Sequence, residues 1–209
     1  MDILSVDDLA RLLQVVANRI IAERDVLTEL DAAIGDGDFG QSLSTGFRKV
    51  QEQLGILPKT DCGDILKKVG VILTGSVGGV SGPIWGTAFL RAGMKAGNQT
   101  EVQLAGIVDM LTASVEGIKS RGGAQLGDKT LVDALHPAVE AMRQVAAEDG
   151  TIREALEKGL EAAKKGSDDT IGMIAKKGRA SYLGERTKGH RDAGSWAIVL
   201  VFEEVLRNI

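Results

Sequence analysis

The chain of 209 residues contains little cysteine, proline or aromatic side chain. Cys62 is the only cysteine, so an internal disulfide is impossible and a disulfide-stabilised secreted scaffold is excluded. Aromatic residues form 3% of the sequence, which argues against a stacking surface for single-stranded nucleic acid. Because only three prolines occur and no Ser/Gly/Pro-rich linker divides the chain, we expect one domain over residues 1–209.

Long apolar runs and an excess of positive charge are also missing. No window approaches about 18 uninterrupted apolar residues, and the N-terminus lacks a basic segment followed by an apolar one. We therefore expect a cytoplasmic protein with no membrane partner. With 25 Lys+Arg against 29 Asp+Glu, the net charge of −4 argues against a nucleic-acid partner.

Glycine, in contrast, is abundant. Its 27 residues amount to about 13% of the chain, against a usual share of about 7%. This excess indicates that parts of the backbone bend sharply or approach a ligand closely.

Apolar residues recur mostly at helical spacing. Leu9, Leu12, Leu13, Val16 and Ile20 form one helix face after the possible cap Ser5. The same reasoning predicts further helices, and no segment alternates as a strand does; the helical segments are 43–54, 65–73, 84–96, 104–118, 131–146, 152–163 and 195–206. We therefore predict an all-α, antiparallel up-and-down bundle of about eight helices, with its function in the connections.

The first unusual connection runs from Asp31 to Ser42. Its glycines match a dinucleotide-binding fingerprint, but that motif must follow a strand, and the preceding residues are better interpreted as a helical turn. Asp36 and Asp38 would also repel phosphate. A divalent cation resolves the conflict, because Asp31, Asp36 and Asp38 can converge on an ion that bridges to phosphates. The alternative is an acidic turn that caps the next helix.

Three further connections carry glycine and charge. Residues 75–83 precede a helix in which Pro83 would be the first residue, and they suit either an anion, with Ser81 as cap or donor, or a tight helix junction. Residues 120–130 are interpreted as an exposed turn between a helix end near Gly122 and a new helix. Residues 176–194 form a long basic loop with Arg179, either a binding loop or a solvated one.

An up-and-down bundle places alternate connections at the same end. Carboxylates, helix N-termini and an arginine loop would then meet, as in a metal–polyphosphate site where catalysis rests on positioning and charge neutralisation. No Ser-His-Asp or Cys-His arrangement is persuasive, so we expect no covalent catalysis and assign no catalytic residue.

The sequence resembles the nucleotide-binding L subunits of dihydroxyacetone kinase, DhaL, over nearly its whole length. Motifs that carry the resemblance occur in the right order: Leu27-Thr-Glu-Leu-Asp31, Gly35-Asp-Gly-Asp38, Ser76-Val-Gly-Gly79, Ser81-Gly-Pro83, Gly127-Asp-Lys-Thr130, Lys177–Arg186 and Gly189-His190. The resemblance implies a barrel of eight helices with a nucleotide, ADP or ATP, at one end.

The resemblance also implies the site residues. Aspartates matching Asp31, Asp36 and Asp38 would hold two Mg ions that bridge to the phosphates. The implied nucleotide contacts are Phe39, Gly40, Gln41, Ser42, Val80, Ser81, Gly122, Leu131, Arg179, Asp192, Ala193 and Gly194, with Leu131 against the base. Phe39 stands where relatives often carry His or Cys, and Ala193 where some carry Pro; backbone contacts could survive both changes.

A free-standing chain of this length resembles the subunit of the phosphotransferase-system-dependent kinase. That role is a relay: bound ADP accepts phosphate from a phosphohistidine on the M subunit, and the γ-phosphoryl passes to dihydroxyacetone on the K subunit. The alternatives are an ATP-exchanging domain of another sugar or fatty-acid kinase system and a non-enzymatic helical metal-binding scaffold. Association as a homodimer is left open.

Overall fold

A computed structural model describes residues 3–209, which form nine α-helices, two short strands and two 3₁₀ helices. The α-helices are α1 Val6–Ala22, α2 Arg24–Ala32, α3 Phe39–Leu54, α4 Cys62–Ser76, α5 Ser81–Ala96, α6 Leu104–Gly122, α7 Val132–Ala147, α8 Ile152–Asp169 and α9 Ala193–Arg207. The strands are β1 Ile3–Ser5 and β2 Glu101–Gln103, and the 3₁₀ helices are Thr170–Gly172 and Arg179–Thr187.

Eight of these helices form a closed ring. From α3 to α9 each helix packs on the next, and α1 contacts both α3 and α9 and so completes the circle. The ninth helix, α2, is short and packs mainly on α3. The prediction of an antiparallel all-α barrel is confirmed, and α2 corresponds to the predicted helical turn before Ile34. Each helix in residues 3–209 is too short or too polar to cross a membrane.

Local sequence signals set several helix ends. The Ser5 hydroxyl accepts a hydrogen bond from the Asp8 amide, and the Asp8 carboxylate accepts one from the Ser5 amide, which makes a capping box at the start of α1. Gly123 ends α6 in the left-handed conformation, with φ 63°. Both ends agree with the sequence. The prediction that Pro83 opens its helix is wrong, because α5 begins two residues earlier, at Ser81.

The inward faces of the ring form the hydrophobic core, which contains an unfilled apolar space. Phe47 is fully buried and meets the Trp85 ring edge-on, with centroids 5.9 Å apart. The space measures about 210 Å³ and is lined almost wholly by apolar side chains. They come from β1 and from every helix of the ring except α3, and include Leu9, Leu13, Ala92, Met110, Leu135 and Phe202. Cys62 is buried in α4, as expected for a small apolar residue.

The two strands pair in antiparallel register and were not predicted. Leu4 lies opposite Val102, and both are buried in the core. Three residues are too few to show an alternating pattern, and the partner strand lies about a hundred residues away, so no local signal marks the pair.

Glycines bring α4 and α5 into backbone contact. A methyl group on Gly70 would lie 2.8 Å from the Gly86 carbonyl oxygen, and one on Gly86 would lie 2.7 Å from that of Gly70. Two turns away, Gly63 and Gly93 repeat the arrangement at 2.6 and 2.7 Å. Part of the glycine excess therefore serves helix packing, in addition to the bends that we expected.

The up-and-down order divides the connections between two ends of the barrel. The site end collects residues 33–38, 77–80, 123–131 and 170–192. The opposite end carries residues 55–61, 97–103 and 148–151, together with the strand pair. All four unusual connections of the sequence thus meet at the site end.

Candidate functional site

Three carboxylates converge at the site end. One carboxylate oxygen from each of Asp31, Asp36 and Asp38 lies within 4.8 Å of the other two. Asp31 is half-buried in the last turn of α2, whereas Asp36 and Asp38 are exposed in the turn that leads to α3. The structure therefore brings together all three predicted metal ligands.

Glycines and a backbone hydrogen bond hold this turn in place. The Phe39 amide donates to the Asp31 carboxylate at 3.2 Å, so the start of α3 is tied to the cluster. A methyl group on Gly35 would collide with the Asp31 side chain, and one on Gly40 with the backbone of α2. The turn can close around its carboxylates only because both positions lack a side chain.

The electrostatics of the cluster favour a cation. Partial burial, together with the negative charges of Asp36 and Asp31, raises the pKa of Asp38 above its ordinary value. The Arg179 guanidinium approaches from the long loop and pairs with Asp36 at 2.6 Å. An arginine thus supplies positive charge to the cluster, which contains only acidic ligands.

The connection between α4 and α5 lies against the start of α3. A methyl group on Gly78 would lie 3.0 Å from the Ser42 hydroxyl oxygen, so the two predicted nucleotide-binding turns touch. Val80 is exposed and precedes α5, and Ser81 is the first helical residue. No side chain of residues 3–209 caps this helix, so the capping role that we considered for Ser81 is wrong. Within the same residues, the first amides of α5 have no side-chain partner.

The remaining predicted contacts surround the same end. A methyl group on Gly122 would lie 2.9 Å from the Ile84 side chain, which places the end of α6 beside the start of α5. Gly194, at the start of α9, lies beside Leu131, because a methyl group on Gly194 would be 3.4 Å from the Leu131 Cβ. Leu131 is half-buried and packs partly on the core. Phe39 also packs on the core, so only its backbone faces the cluster.

The turn between α6 and α7 is not the exposed turn that we predicted. Asp128 and Lys129 are 7% and 3% exposed. The buried Asp133 carboxylate organises the turn by accepting hydrogen bonds from the Gly127 and Thr130 amides, at 2.6 and 2.7 Å. The Gly127-Asp-Lys-Thr130 motif marked this turn in the sequence. Its burial could not be predicted, because charged residues in a glycine-rich turn are typical of an exposed segment.

The long basic loop is a strap, which we define as residues 170–192. Its outward limb begins with the 3₁₀ helix Thr170–Gly172, and its tip contains the second 3₁₀ helix, kinked at Gly184. Lys176 and Lys177 lie 3.4 and 4.0 Å from the Asp128 carboxylate. The long basic loop therefore lies at the site end, as expected, and its tip is 3₁₀-helical.

Asp192 ends the strap and begins α9. Its carboxylate accepts a hydrogen bond from the Ser195 amide at 2.6 Å, which caps the helix. Burial raises the pKa of Asp192 to about 7, with a smaller contribution from the charge of Asp133. The hydrogen bond from Ser195 and the charge of Lys129 oppose this shift.

The arrangement fits a hard divalent cation and a phosphate group. Three clustered carboxylates offer the oxygen ligands that Mg²⁺ uses when it bridges to phosphate. Around them lie the uncapped N-terminus of α5 and the exposed arginine of the strap, which both suit an anion. The site can therefore hold a metal–phosphate group by charge and position.

Comparisons with known proteins identify the family of this chain. Residues 33–207 match the family described as "DAK2 domain". The chain is 41% identical over 181 residues to the "PEP-dependent dihydroxyacetone kinase, ADP-binding subunit DhaL" of Escherichia coli K12. The aligned residues cover 87% of this chain and 86% of the E. coli subunit. It is 42% identical over 199 residues to the DhaL subunit of dihydroxyacetone kinase 2 of Listeria innocua, at 94% and 92% coverage.

The fold also matches a solved kinase. The C. freundii dihydroxyacetone kinase in complex with AMP-PNP and Mg²⁺ superposes with a TM-score of 0.75 at 26% identity. The match covers 96% of this chain but 34% of that longer chain. With the family match over most of its length and the close similarity to several curated subunits, the chain belongs to the DAK2-domain family of dihydroxyacetone kinases, as a relative of the separate DhaL subunits.

Proposed function

We propose that this chain is the ADP-carrying subunit of a phosphotransferase-system-dependent dihydroxyacetone kinase. The observation that carries the proposal is the group of three carboxylates within 4.8 Å of one another, surrounded by helix N-termini and the strap. The names of the similar subunits, which describe them as ADP-binding, support the same role. A cytoplasmic location stays a prediction, and association as a homodimer stays open.

Asp31, Asp36 and Asp38 hold two Mg ions in this proposal. Gly35 and Gly40 allow the carboxylates to turn inward, and the bond from the Phe39 amide fixes Asp31. When bound, the magnesium nucleotide supplies the phosphate that takes up a phosphoryl group and passes it on, with its negative charge spread over the metal. The neighbouring acids would be tolerated there because bound cations would offset the negative charge of both the carboxylates and the phosphates.

The remaining predicted residues position the nucleotide. The turn 39–42, Val80 with Ser81, and residues 192–194 would lie beside the phosphates, while Gly122 and Leu131 would provide the surface for the base. The amides of Phe39, Ser42 and Asp192 already donate to protein oxygens, so the phosphates would be bound by the other amides of these segments. Arg179 is 71% exposed on its side chain, so its guanidinium can leave Asp36 and reach the phosphates without breaking buried contacts.

The reacting groups beyond the nucleotide come from partner chains. The phosphohistidine donor lies on the M subunit, and the dihydroxyacetone acceptor is held by the K subunit. Cys62 is buried at the opposite end of the barrel, so it offers no nucleophile at the site. This chain therefore contributes position and charge, and catalysis needs no covalent bond to it.

The test is to denature freshly purified protein and analyse the released nucleotide and metal. We expect about one ADP and two Mg per chain after extensive dialysis, and conversion of that ADP into bound ATP when the phosphorylated M subunit is added. Protein that carries no nucleotide and takes up none would contradict the proposal and would favour the metal-binding scaffold.

A second candidate is an ATP-exchanging kinase domain. It is favoured by the L-erythrulose kinase of Pectobacterium atrosepticum, which is 32% identical over 201 residues, although this chain spans 34% of it. In that case labelled free ATP would replace the bound nucleotide within one turnover. Exchange that is much slower than phosphoryl transfer from the M subunit would instead favour the relay.

A further inference from the structure

Lys129 is a buried lysine with an unusual backbone conformation. It lies in the turn between α6 and α7, is 3% exposed, and has φ 62°. Residues other than glycine, asparagine and aspartate rarely adopt this left-handed backbone conformation. The sequence keeps a long charged side chain at a position where glycine would fit the backbone better, which points to a role for the ammonium group.

The Lys129 ammonium group is surrounded by backbone carbonyl oxygens. Its Nζ lies 2.7 Å from the oxygen of Thr170, 2.9 Å from that of Thr187 and 2.5 Å from that of His190, with Met173 further away at 3.4 Å. Within residues 3–209 it forms no ion pair with a carboxylate. Burial accordingly lowers the pKa of Lys129, while the charge of Asp192 opposes the shift.

Two of these four oxygens lie on the outgoing limb of the strap, which follows α8, and two lie on the returning limb, which precedes α9. Thr170 and Met173 lie where the strap leaves α8, and Thr187 and His190 lie where it returns to α9. Two further bonds cross the same base: the Ala175 amide donates to the Thr187 hydroxyl, and the Gly189 amide donates to the Ile171 carbonyl. Lys129 therefore joins the two limbs from inside the protein.

The tip of the strap is held quite differently. Lys176 and Arg179 make ion pairs with Asp128 and Asp36, and all of the cationic side chains involved are well exposed. Gly178 and Gly184 both have positive φ, and the space beside each is open. The base is thus fixed by a buried group, whereas the tip that carries Arg179 can change its position.

We propose that Lys129 is a positioning residue that holds the base of the strap so that Arg179 reaches the phosphate end of the nucleotide. This inference rests on the proposed function. The Lys129 ammonium group donates to carbonyl oxygens of the strap and acts through Arg179. It also sets the start of α9, because the Asp192 amide donates to the hydroxyl of Thr170, whose carbonyl Lys129 binds.

The first test needs no nucleotide. Lys129→Met keeps the length of the side chain and removes its donors, and Lys165→Met, at an exposed lysine of α8 that pairs with Asp169, is the matched control. Without metal or nucleotide, we expect trypsin to cut K129M after strap residues 176–186 at least ten times faster than wild type. K165M should be cut there at the wild-type rate, and an unchanged rate in K129M would overturn the inference.

The second test is a double-mutant cycle on the release of fluorescent MgADP. K129M and Arg179→Ala should each speed release about tenfold or more, and the double variant should be no faster than the faster single variant within about twofold. Wild-type release by K129M, or multiplied effects in the double variant, would show that Lys129 does not act through Arg179. If wild type binds no MgADP, the proposed function fails, and the trypsin result still decides the role of Lys129.

A second substitution at Lys129 keeps the inference testable if K129M does not fold. If K129M is too unstable, Lys129→Asn replaces it, because asparagine tolerates the left-handed backbone and its amide is too short to reach all four oxygens. The expected cleavage and release rates are the same as for K129M. Rates equal to wild type would again overturn the inference.

Discussion

Glycine serves two opposite purposes in two regions of this molecule. Between α4 and α5, Gly70 and Gly86 lie so close that a methyl group on either would meet the other's carbonyl oxygen within 2.8 Å. At the site end, Gly79 and Gly178 have open space beside them but φ near 60°. The helix pair needs a small residue, whereas the loops need a residue with a free backbone.

The two groups of glycines should therefore affect different properties of the protein, namely its stability and its binding of ligands. Glycine contacts in α4 and α5 lie between packed helices, so a change there alters the free energy of unfolding. Loops of the site end contain the clustered acids and the strap, so under the proposed function a change there mainly alters the affinity for the metal and the nucleotide. Substitutions in the two regions should therefore differ in whether stability or binding changes more.

The largest effect should come from the acidic cluster. Asp38→Ala removes one of three clustered carboxylates, so we expect MgADP affinity to fall a hundredfold or more while helix content and melting temperature stay close to wild type. Glu52→Ala, at an exposed residue of α3, is the control. Calorimetric titration with MgADP and thermal denaturation in EDTA measure both effects, and normal affinity in D38A would remove the metal role of the cluster.

The opposite result is expected for the helix pair. In Gly86→Ala the new methyl group collides with Thr74 and the Gly70 carbonyl, so we expect the free energy of unfolding to fall by about 2–3 kcal/mol. MgADP affinity of the folded protein should change less than threefold.

Gly75→Ala is the matched control for that substitution, because nothing lies within 4 Å of the new methyl group in the same helix pair. Its stability should stay level or rise by up to about 1 kcal/mol. Urea denaturation compares the two variants, and equal stability of G86A and wild type would show that the helices separate at little cost.

The effect of Asp192 should depend on pH. Its folded pKa of about 7 exceeds the ordinary 3.8, so the folded state binds more protons and loses stability as pH rises from about 4 to 7. Asp192→Asn can keep the cap on α9 without this penalty. In EDTA we expect the variant to exceed wild type by about 1 kcal/mol or more at pH 8, with the gap closing at pH 4. A gap independent of pH would contradict the shifted pKa.

The smallest effect should come from a loop glycine. Gly79→Ala meets no neighbour but forces alanine into φ 60°, so we expect a loss of about 1 kcal/mol or less in unfolding free energy. Gly79→Asn should lose less than G79A, because asparagine tolerates that conformation. Urea denaturation measures both, and an equal loss in both variants would show that space, and not backbone conformation, requires glycine there.

Local patterns predicted the helices and the acidic cluster well. The apolar spacing of α1 and α6, the Ser5 cap and the Gly123 end depend on neighbours within a few residues. Asp31, Asp36 and Asp38 are near enough in sequence for a single turn to gather them. The ring order then follows from short connections between antiparallel helices.

Features that depend on distant partners could not be predicted in the same way. Leu4 pairs with Val102 across the chain, and Lys129 is buried only because the strap closes over it. The contact between Gly70 and Gly86 also exists only after α4 and α5 have packed. The type of a residue determines which contacts it can make, but whether it is buried depends on which segment packs over it.

The closed ring has a consequence for how the protein unfolds. Because α1 packs on both α3 and α9, no helix of the ring lies at a free edge, unlike the terminal repeats of a solenoid. Removing any single helix would expose the apolar faces of two neighbours and open the internal space to water. Partial unfolding from one side is therefore unfavourable, and the eight helices should melt together in one cooperative transition.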